Sequence, residues 1–351
     1  MSEFLSSRLK SLQPYLPGEQ PREREYLKLN TNENPYYLSR MAADNLEKKD
    51  FENLRLYSDP DCTALRNEIA MYYGIDAGNI LPTNGSDEAL AFCFAAFCGQ
   101  GAVFPDVTYG FYKVIANLLG IEFREIPLCK NFTVKIQSYF NSGKTIFLAN
   151  PNAQTGIALP LEDVEKIVAE NPRTAVIVDE AYIDFGGQSA ARLIRKYRNL
   201  VVVQTFSKSR SLAGARVGFA MANQDLISDL KRVKDSFNPY NVNSVSAKLA
   251  LSALRDDAYF KKCTAKIIAT RDRLVRGLQS LGFCVLPSAA NFVLAEHATT
   301  DGETLYRNLK SRGILVRHFS DERIRNFIRI TVGTDAQTEI LLKTLKELTA
   351  I

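Results

Sequence analysis

Histidine is almost missing from this chain of 351 residues: only His297 and His318 occur, and neither has a second histidine or a cysteine at metal-ligand spacing. Zinc chemistry and a Ser-His-Asp relay therefore lack their central residue, and no metal is expected. Each histidine reads first as a structural or surface residue, although His318 borders Arg317, a residue of interest below. The six cysteines (62, 93, 98, 129, 263 and 284) show neither paired CxxC spacing nor the density of a disulfide framework, so reduced, mostly buried thiols are expected. The longest apolar run, 89–98, is too short to cross a bilayer. The start, Met1 to Arg8, lacks the basic segment and apolar run of a secretory signal, so a cytoplasmic protein away from membranes is expected. A net charge of +5 is small for this length, and the lysines and arginines are spread out rather than gathered in a block, which argues against a nucleic-acid partner. Repeats and low-complexity segments are missing too.

What is present suits an ordinary globular chain. With 46% hydrophobic and 24% charged residues, one large core and a smaller one can be buried, so two domains are expected. Between about 80 and 222, short β-rich runs (79–83, 102–104, 121–128, 145–149, 174–178, 200–205 and 216–220) alternate with helical stretches. That pattern predicts an α/β, three-layer domain around a mainly parallel sheet. One such helix, 161–168, carries acids in its first turn, where the helix dipole favours them. Residues 225–281 are helix-rich, with a long amphipathic stretch at 256–281 suited to connect domains. Beyond it, strands at 284–286, 291–295, 314–316 and 327–332 with helices at 302–311 and 336–348 read as a smaller α+β domain. The expected division is an N-terminal arm at 1–28, packed on the small domain or a partner, a large domain at 29–255 and a small one at 256–351.

In open α/β sheets ligands gather at the carboxyl ends of the strands, and four such ends carry chemistry. After the first strand comes Asn84-Gly85-Ser86-Asp87-Glu88, where a glycine turn opens a helix whose free N–H groups suit an anion; a plain N-cap would read the same way. A second strand ends in Asp179-Glu180-Ala181-Tyr182, delivering a carboxylate that could also bind a metal or cap a helix. A third runs into Ser207-Lys208, with Arg216 downstream. Apolar walls and nearby cations favour the neutral amine that forms Schiff bases, although a lysine after a strand is also an ordinary loop residue. The fourth ends in Asn150-Pro151-Asn152-Ala153-Gln154-Thr155-Gly156, which is equally common turn chemistry. Acid, amine, amide and anion site on one domain suit a single ligand with a ring nitrogen, an aldehyde and a phosphate.

These residues resemble the fold-type I pyridoxal-phosphate-dependent enzymes and, among them, the histidinol-phosphate aminotransferase branch. The resemblance spans nearly the whole chain, through Leu29-Asn30-Thr31-Asn32-Glu33-Asn34-Pro35-Tyr36, Tyr57-Ser58-Asp59-Pro60, Gly85 to Glu88, Pro105 to Tyr109, Asp179 to Tyr182, Ser207-Lys208, Arg216 and Arg329 to Gly333. It implies that Lys208 holds pyridoxal 5'-phosphate covalently and shuttles the proton, that Asp179 pairs with the pyridine nitrogen and that Tyr182 donates to the ring oxygen O3′. Tyr109 is expected against the ring face. Gly85, Ser86, Asp87, Ser207 and Arg216 are expected at the phosphate, with Tyr57 reaching in from the partner of a homodimer.

The family commonly reads Asn-Pro-x-Asn-Pro-Thr-Gly, so the amide that usually meets O3′ falls here on Ala153, and Asn152 is expected as its substitute. The implied reaction, in histidine biosynthesis, moves an amino group between L-histidinol phosphate and 2-oxoglutarate. Arg329 is expected to bind the substrate carboxylate, with Tyr15, Asn34 and Arg317 completing the pocket. For Arg317 a surface ion pair is the competing reading. A threonine-phosphate decarboxylase would keep the same core residues, and an aromatic or broad-range aminotransferase would need a more apolar pocket. Related regulators place a DNA-binding domain ahead of this fold, for which the arm is expected to be too short.

Overall fold

The computed structural model describes residues 2–349; positions 1, 350 and 351 of the expected domain bounds lie outside the described residues. The arm ends in a short strand, β1 (Leu27–Lys28). Seven strands follow: β2 (Ile80–Thr83), β3 (Ala102–Pro105), β4 (Phe123–Ile126), β5 (Thr145–Ala149), β6 (Val176–Asp179), β7 (Leu200–Thr205) and β8 (Gly218–Ala222). They form one sheet in the order β2-β8-β7-β6-β5-β3-β4, parallel except for β8, which runs antiparallel to both neighbours. β6 and β7 are buried at every residue, as expected of strands covered on both faces. Alternate side chains feed two cores. Phe147, Ile177, Val201 and Val203 meet Leu90 and Phe94 of the helix Gly85–Phe97. Val176, Val178, Val202 and Met221 meet Val164 and Ile167 of the helix Leu161–Ala169.

The long helix Asp257–Ser280 leads to a second sheet built from β9 (Phe283–Val285), β10 (Phe292–His297), β12 (Arg317–His318) and β13 (Phe327–Thr331). Its order is β12-β13-β10-β9, antiparallel throughout. Ile267, Leu274 and Leu278 of the long helix pack on Phe292, Val293, Ile328 and Ile330. The expected strand at 314–316 is split: β11 (Ile314–Leu315) pairs in parallel with β1, whereas β12 turns to β13.

Some boundaries differ from expectation for local reasons. The strand expected at 216–220 starts two residues later because Arg216 is left-handed, φ 56°, and cannot extend a strand. That expected at 174–178 also starts later, because Thr174 closes a turn onto Asn171. The run 121–128 contracts to β4, an edge strand with β3 as its one neighbour. The arm lies along the second sheet and its helices: Arg24 donates to the carbonyls of Lys310 and Ser311, and Glu19 binds Lys310 and Tyr306. Among the described residues no helix is long and apolar enough to cross a membrane.

Candidate active site

The carboxyl ends of β5, β6 and β7 and the start of the helix Gly85–Phe97 open into a cavity of about 200 Å³, closed by the arm and the small sheet. Asp179, the last residue of β6, and Tyr182 line it, as do Ser207 and Lys208 after β7 and Arg216 before β8. Ser86, Asp87 and Tyr109 line it from the next layer; Tyr15, Arg317 and Arg329 do so from the arm and small sheet. Most of the sequence-derived site therefore converges.

Asp179 is buried, and burial pushes its carboxyl up to about 6, against the opposing help of the Tyr112 hydroxyl and the Ala181 N–H. The Tyr112 hydroxyl donates to Oδ2 at 2.9 Å, and the Ala181 N–H donates to Oδ1 at 3.2 Å. The site thus contains an acid that a cationic partner would keep ionised. Lys208 Nζ donates to the Thr31 carbonyl at 3.2 Å and stands 5.8 Å from the Tyr182 ring centroid. Its loop is shaped by Thr205, whose Oγ1 accepts the Ser207 N–H at 3.1 Å.

The start of the helix Gly85–Phe97 is set by close backbone packing. A Cβ on Gly218 of β8 would stand 2.6 Å from the Ser86 nitrogen, so glycine lets the strand press against the helix start. Gly85 has φ 74°, and a Cβ there would meet the Arg216 guanidinium at 2.5 Å. Gly85 does not line the cavity; it makes room for the arginine that does. Arg216 Nη2 binds Asp87 Oδ2 at 3.1 Å, and Tyr109 donates to Asp87 Oδ1 at 2.8 Å. Asp87 therefore presents the arginine with its side chain while its backbone belongs to the helix start.

Arg329 lies opposite. Its Nη1 donates to the Ala153 carbonyl at 2.8 Å and to Gln154 Oε1 at 3.2 Å, and its buried Nε has no partner among the described residues. The guanidinium stands 5.0 Å from the Phe292 ring centroid and 5.3 Å from that of Phe319. Burial holds its pKa below the usual arginine value. Arg317 makes no surface ion pair among the described residues; it donates instead to the Leu16 and Pro17 carbonyls and so fastens the arm beside the cavity. Tyr15 meets Tyr109 edge-on, with ring centroids 5.9 Å apart.

Besides Gly85, three expected residues do not line the cavity. Asn152 is a correction: its Nδ2 donates to the Val107 carbonyl at 2.9 Å and its Oδ1 accepts the N–H groups of Gln154 and Thr155, so its amide is used up in the turn. Asn150 is likewise tied to Leu159 at both ends of its amide. Asn34 acts behind the site, donating to the carbonyls of Lys208 and Ser209. Tyr57 lies on the surface, 83% exposed and stacked on Tyr240 with centroids 4.4 Å apart. Two residues were missed: Tyr112, whose hydroxyl donates to the distant Asp179, and Asn32, whose amide Nδ2 donates to the Tyr182 hydroxyl at 3.0 Å. Asn32 was visible as the middle member of the run Asn30, Asn32, Asn34.

A lysine, a buried acid, an arginine and a helix start converge at the carboxyl edge of a mainly parallel sheet, the donor set of an α/β enzyme whose ligand carries an aldehyde, a ring nitrogen and an anionic group. The family model for aminotransferase class I and II matches residues 24–345. Histidinol-phosphate aminotransferase from Brachyspira hyodysenteriae is 48% identical over 349 residues, covering 99% of this chain and 99% of that protein. The enzyme of the same name from a Marinomonas species is 48% identical over 353 residues, covering 99% and 100%. A solved histidinol-phosphate aminotransferase from Sinorhizobium meliloti, in complex with pyridoxal-5'-phosphate, shares the fold with a TM-score of 0.90 at 22% identity, over 100% of this chain and 98% of that one. The chain belongs to the class I and II aminotransferase family and is a pyridoxal-phosphate-dependent transferase of amino groups. The site fits that cofactor: a buried acid, an amine, and a backbone-and-arginine cradle that an added Cβ on Gly218 would close.

Proposed function

We propose that this enzyme transfers an amino group reversibly between L-histidinol phosphate and 2-oxoglutarate, giving imidazole-acetol phosphate and glutamate. The observation that carries the reading is Arg329, a guanidinium facing the cavity with no carboxylate partner among the described residues. A desolvated, unpaired cation is costly unless a ligand pairs with it, and its planar fork suits carboxylate and phosphate alike. Arg317 and Tyr15 beside it supply a second cation and a hydroxyl for the other acidic substrate. The 48% identity to two histidinol-phosphate aminotransferases along the whole chain supports the same substrates.

When bound, the cofactor supplies an aldehyde carbon that accepts the amine and a ring that takes up electrons. Lys208 would hold it and move the proton from the substrate Cα. Asp179 would keep its charge beside the ring nitrogen, and Tyr182 would donate to O3′. Tyr109 would lie on the ring. The backbone N–H groups at Ser86 and Asp87, the Ser207 hydroxyl and Arg216 would hold the phosphate. Residues 29–255 would form the cofactor domain, 256–351 the small domain and 1–28 the arm. The working form would be a homodimer: Tyr57, stacked on Tyr240, is exposed together with Leu54, Leu56 and Phe237, apolar side chains that a second copy would cover, with Tyr57 entering the partner's site. The reading puts the enzyme in the cytoplasm, with free glutamate and phosphorylated metabolites.

The test loads the protein with pyridoxal phosphate and follows its absorbance after adding L-histidinol phosphate, with threonine phosphate, phenylalanine and glutamate in parallel. Conversion by histidinol phosphate and glutamate, and loss of the lysine-bound chromophore in Lys208→Ala, is expected. Conversion by phenylalanine alone, or carbon dioxide release from threonine phosphate, would replace the substrate while keeping the cofactor.

A further inference from the structure

Ala153 stands where the resemblance places an amide beside the cofactor's O3′, and the amides of Asn150 and Asn152 are both consumed by their own turn. That leaves the Tyr182 hydroxyl to meet O3′ unaided, and a hydroxyl can do so only if its hydrogen points into the cavity. Asn32 determines that direction. The residue is 1% exposed and left-handed, with φ 55°, a conformation that asparagine tolerates better than most residues.

Three hydrogen bonds run in sequence. The Asn32 N–H donates to Thr331 Oγ1 at 2.9 Å, Thr331 Oγ1 donates to Asn32 Oδ1 at 3.1 Å, and Asn32 Nδ2 donates to Tyr182 Oη at 3.0 Å. Their sense is fixed from one end. The backbone N–H can only donate, so it takes one lone pair of the threonine oxygen, and the hydroxyl hydrogen finds its acceptor among the described residues in the amide oxygen. The amide nitrogen then faces Tyr182 and can only donate, so Tyr182 Oη accepts and its hydrogen is left for the cavity. Turning the amide over would strand the Thr331 hydrogen in a buried place and draw the Tyr182 hydrogen away from the cavity. The Asn291 amide, donating to the Asn32 carbonyl at 2.9 Å, pins the backbone that makes this possible.

We propose that Asn32 is the positioning residue for Tyr182, substituting from behind the tyrosine for the amide that position 153 lacks. The inference rests on the reading of Tyr182 given above. It also ties the hydroxyl to Thr331, two residues from Arg329 on β13, so the O3′ contact and the anion-binding arginine share one strand.

The experiment is a pH titration of the absorbance of wild-type protein carrying pyridoxal phosphate on Lys208. A hydroxyl donating to O3′ stabilises its anionic form and lowers the chromophore's pKa. Asn32→Gly, which keeps the backbone conformation accessible, and Thr331→Val, which removes the group that fixes the amide, are each expected to raise that pKa by about one unit, the worth of one hydrogen bond. Tyr182→Phe should raise it further. Asn32→Gly made on Tyr182→Phe should then add nothing, because Asn32 acts through the hydroxyl. A wild-type pKa in both single variants, or a shift that adds in full to that of Tyr182→Phe, overturns the proposal while leaving the reading of the site intact. A wild-type protein that forms no chromophore at Lys208 overturns both.

Discussion

The Tyr112 hydroxyl donates to Asp179 Oδ2 at 2.9 Å at the end of the seven-stranded sheet, where both side chains are buried. This bond favours the ionised carboxylate against burial, which pushes the other way. Tyr112→Phe removes it without changing the ring's packing on Phe104 and Phe147. The expected result is cofactor affinity weaker by about tenfold, the worth of a hydrogen bond to a charged group, measured by fluorescence titration of cofactor-free protein. Unchanged affinity would mean that the bond serves packing alone.

The same carboxyl makes the cofactor-free protein sensitive to pH. With its pKa raised from 3.8 to about 6, the folded state binds a proton that the unfolded chain has released. The resulting stability is full below about pH 4 and is lost as pH rises through about 6. The window spans about two units, which corresponds to about 3 kcal/mol. Denaturant melts of cofactor-free wild type should therefore lose more stability between pH 4 and pH 7 than those of Asp179→Asn. Equal losses would count against the raised value. Glu180, pushed up to about 7 by burial, has the same sign and is left in place by this substitution.

Both carboxyls show how far the sequence could be read. Asp179 and Glu180 end a run of buried β residues, so their position at a strand end followed from pattern, and Lys208 after Leu200–Thr205 followed in the same way. Asn152 did not, because a side chain at a turn can face the cavity or the turn's own N–H groups, and only the path of the chain decides. Asn32 and Tyr112 escaped notice because their partners lie 150 and 67 residues away, and no local periodicity encodes such pairs. The split of the expected 314–316 strand has the same origin, since its partner β1 belongs to the arm.

Arg329 should separate binding from stability. Arg329→Lys keeps the charge but loses the fork, so KM for glutamate should rise by roughly tenfold or more, with kcat less affected. Arg329→Met should lose more activity still. It also removes a desolvated cation without a carboxylate partner among the described residues, so the cofactor-free variant should melt no lower than wild type. Steady-state kinetics with calorimetry on both variants checks this. A Met variant that is inactive and strongly destabilised would make Arg329 a structural residue.

Gly218 tests the cradle itself. A Cβ there would approach three backbone atoms, the Ser86 nitrogen at 2.6 Å, the Gly85 carbonyl carbon at 2.7 Å and the Gln204 oxygen at 2.9 Å, none of which can rotate away as a side chain would. Gly218→Ala must therefore push β8 from the helix start, costing about 1–3 kcal/mol of stability. Since the displaced atoms include the Ser86 N–H proposed to hold the phosphate, cofactor affinity should fall together with stability. Gly214→Ala, where a Cβ meets nothing within 4 Å, is the control and should change both by little. If Gly218→Ala lowers the melting temperature but leaves cofactor affinity at the wild-type value, the phosphate is held by Arg216 and Ser207 without the helix start, and the anion site has to be redrawn around those side chains.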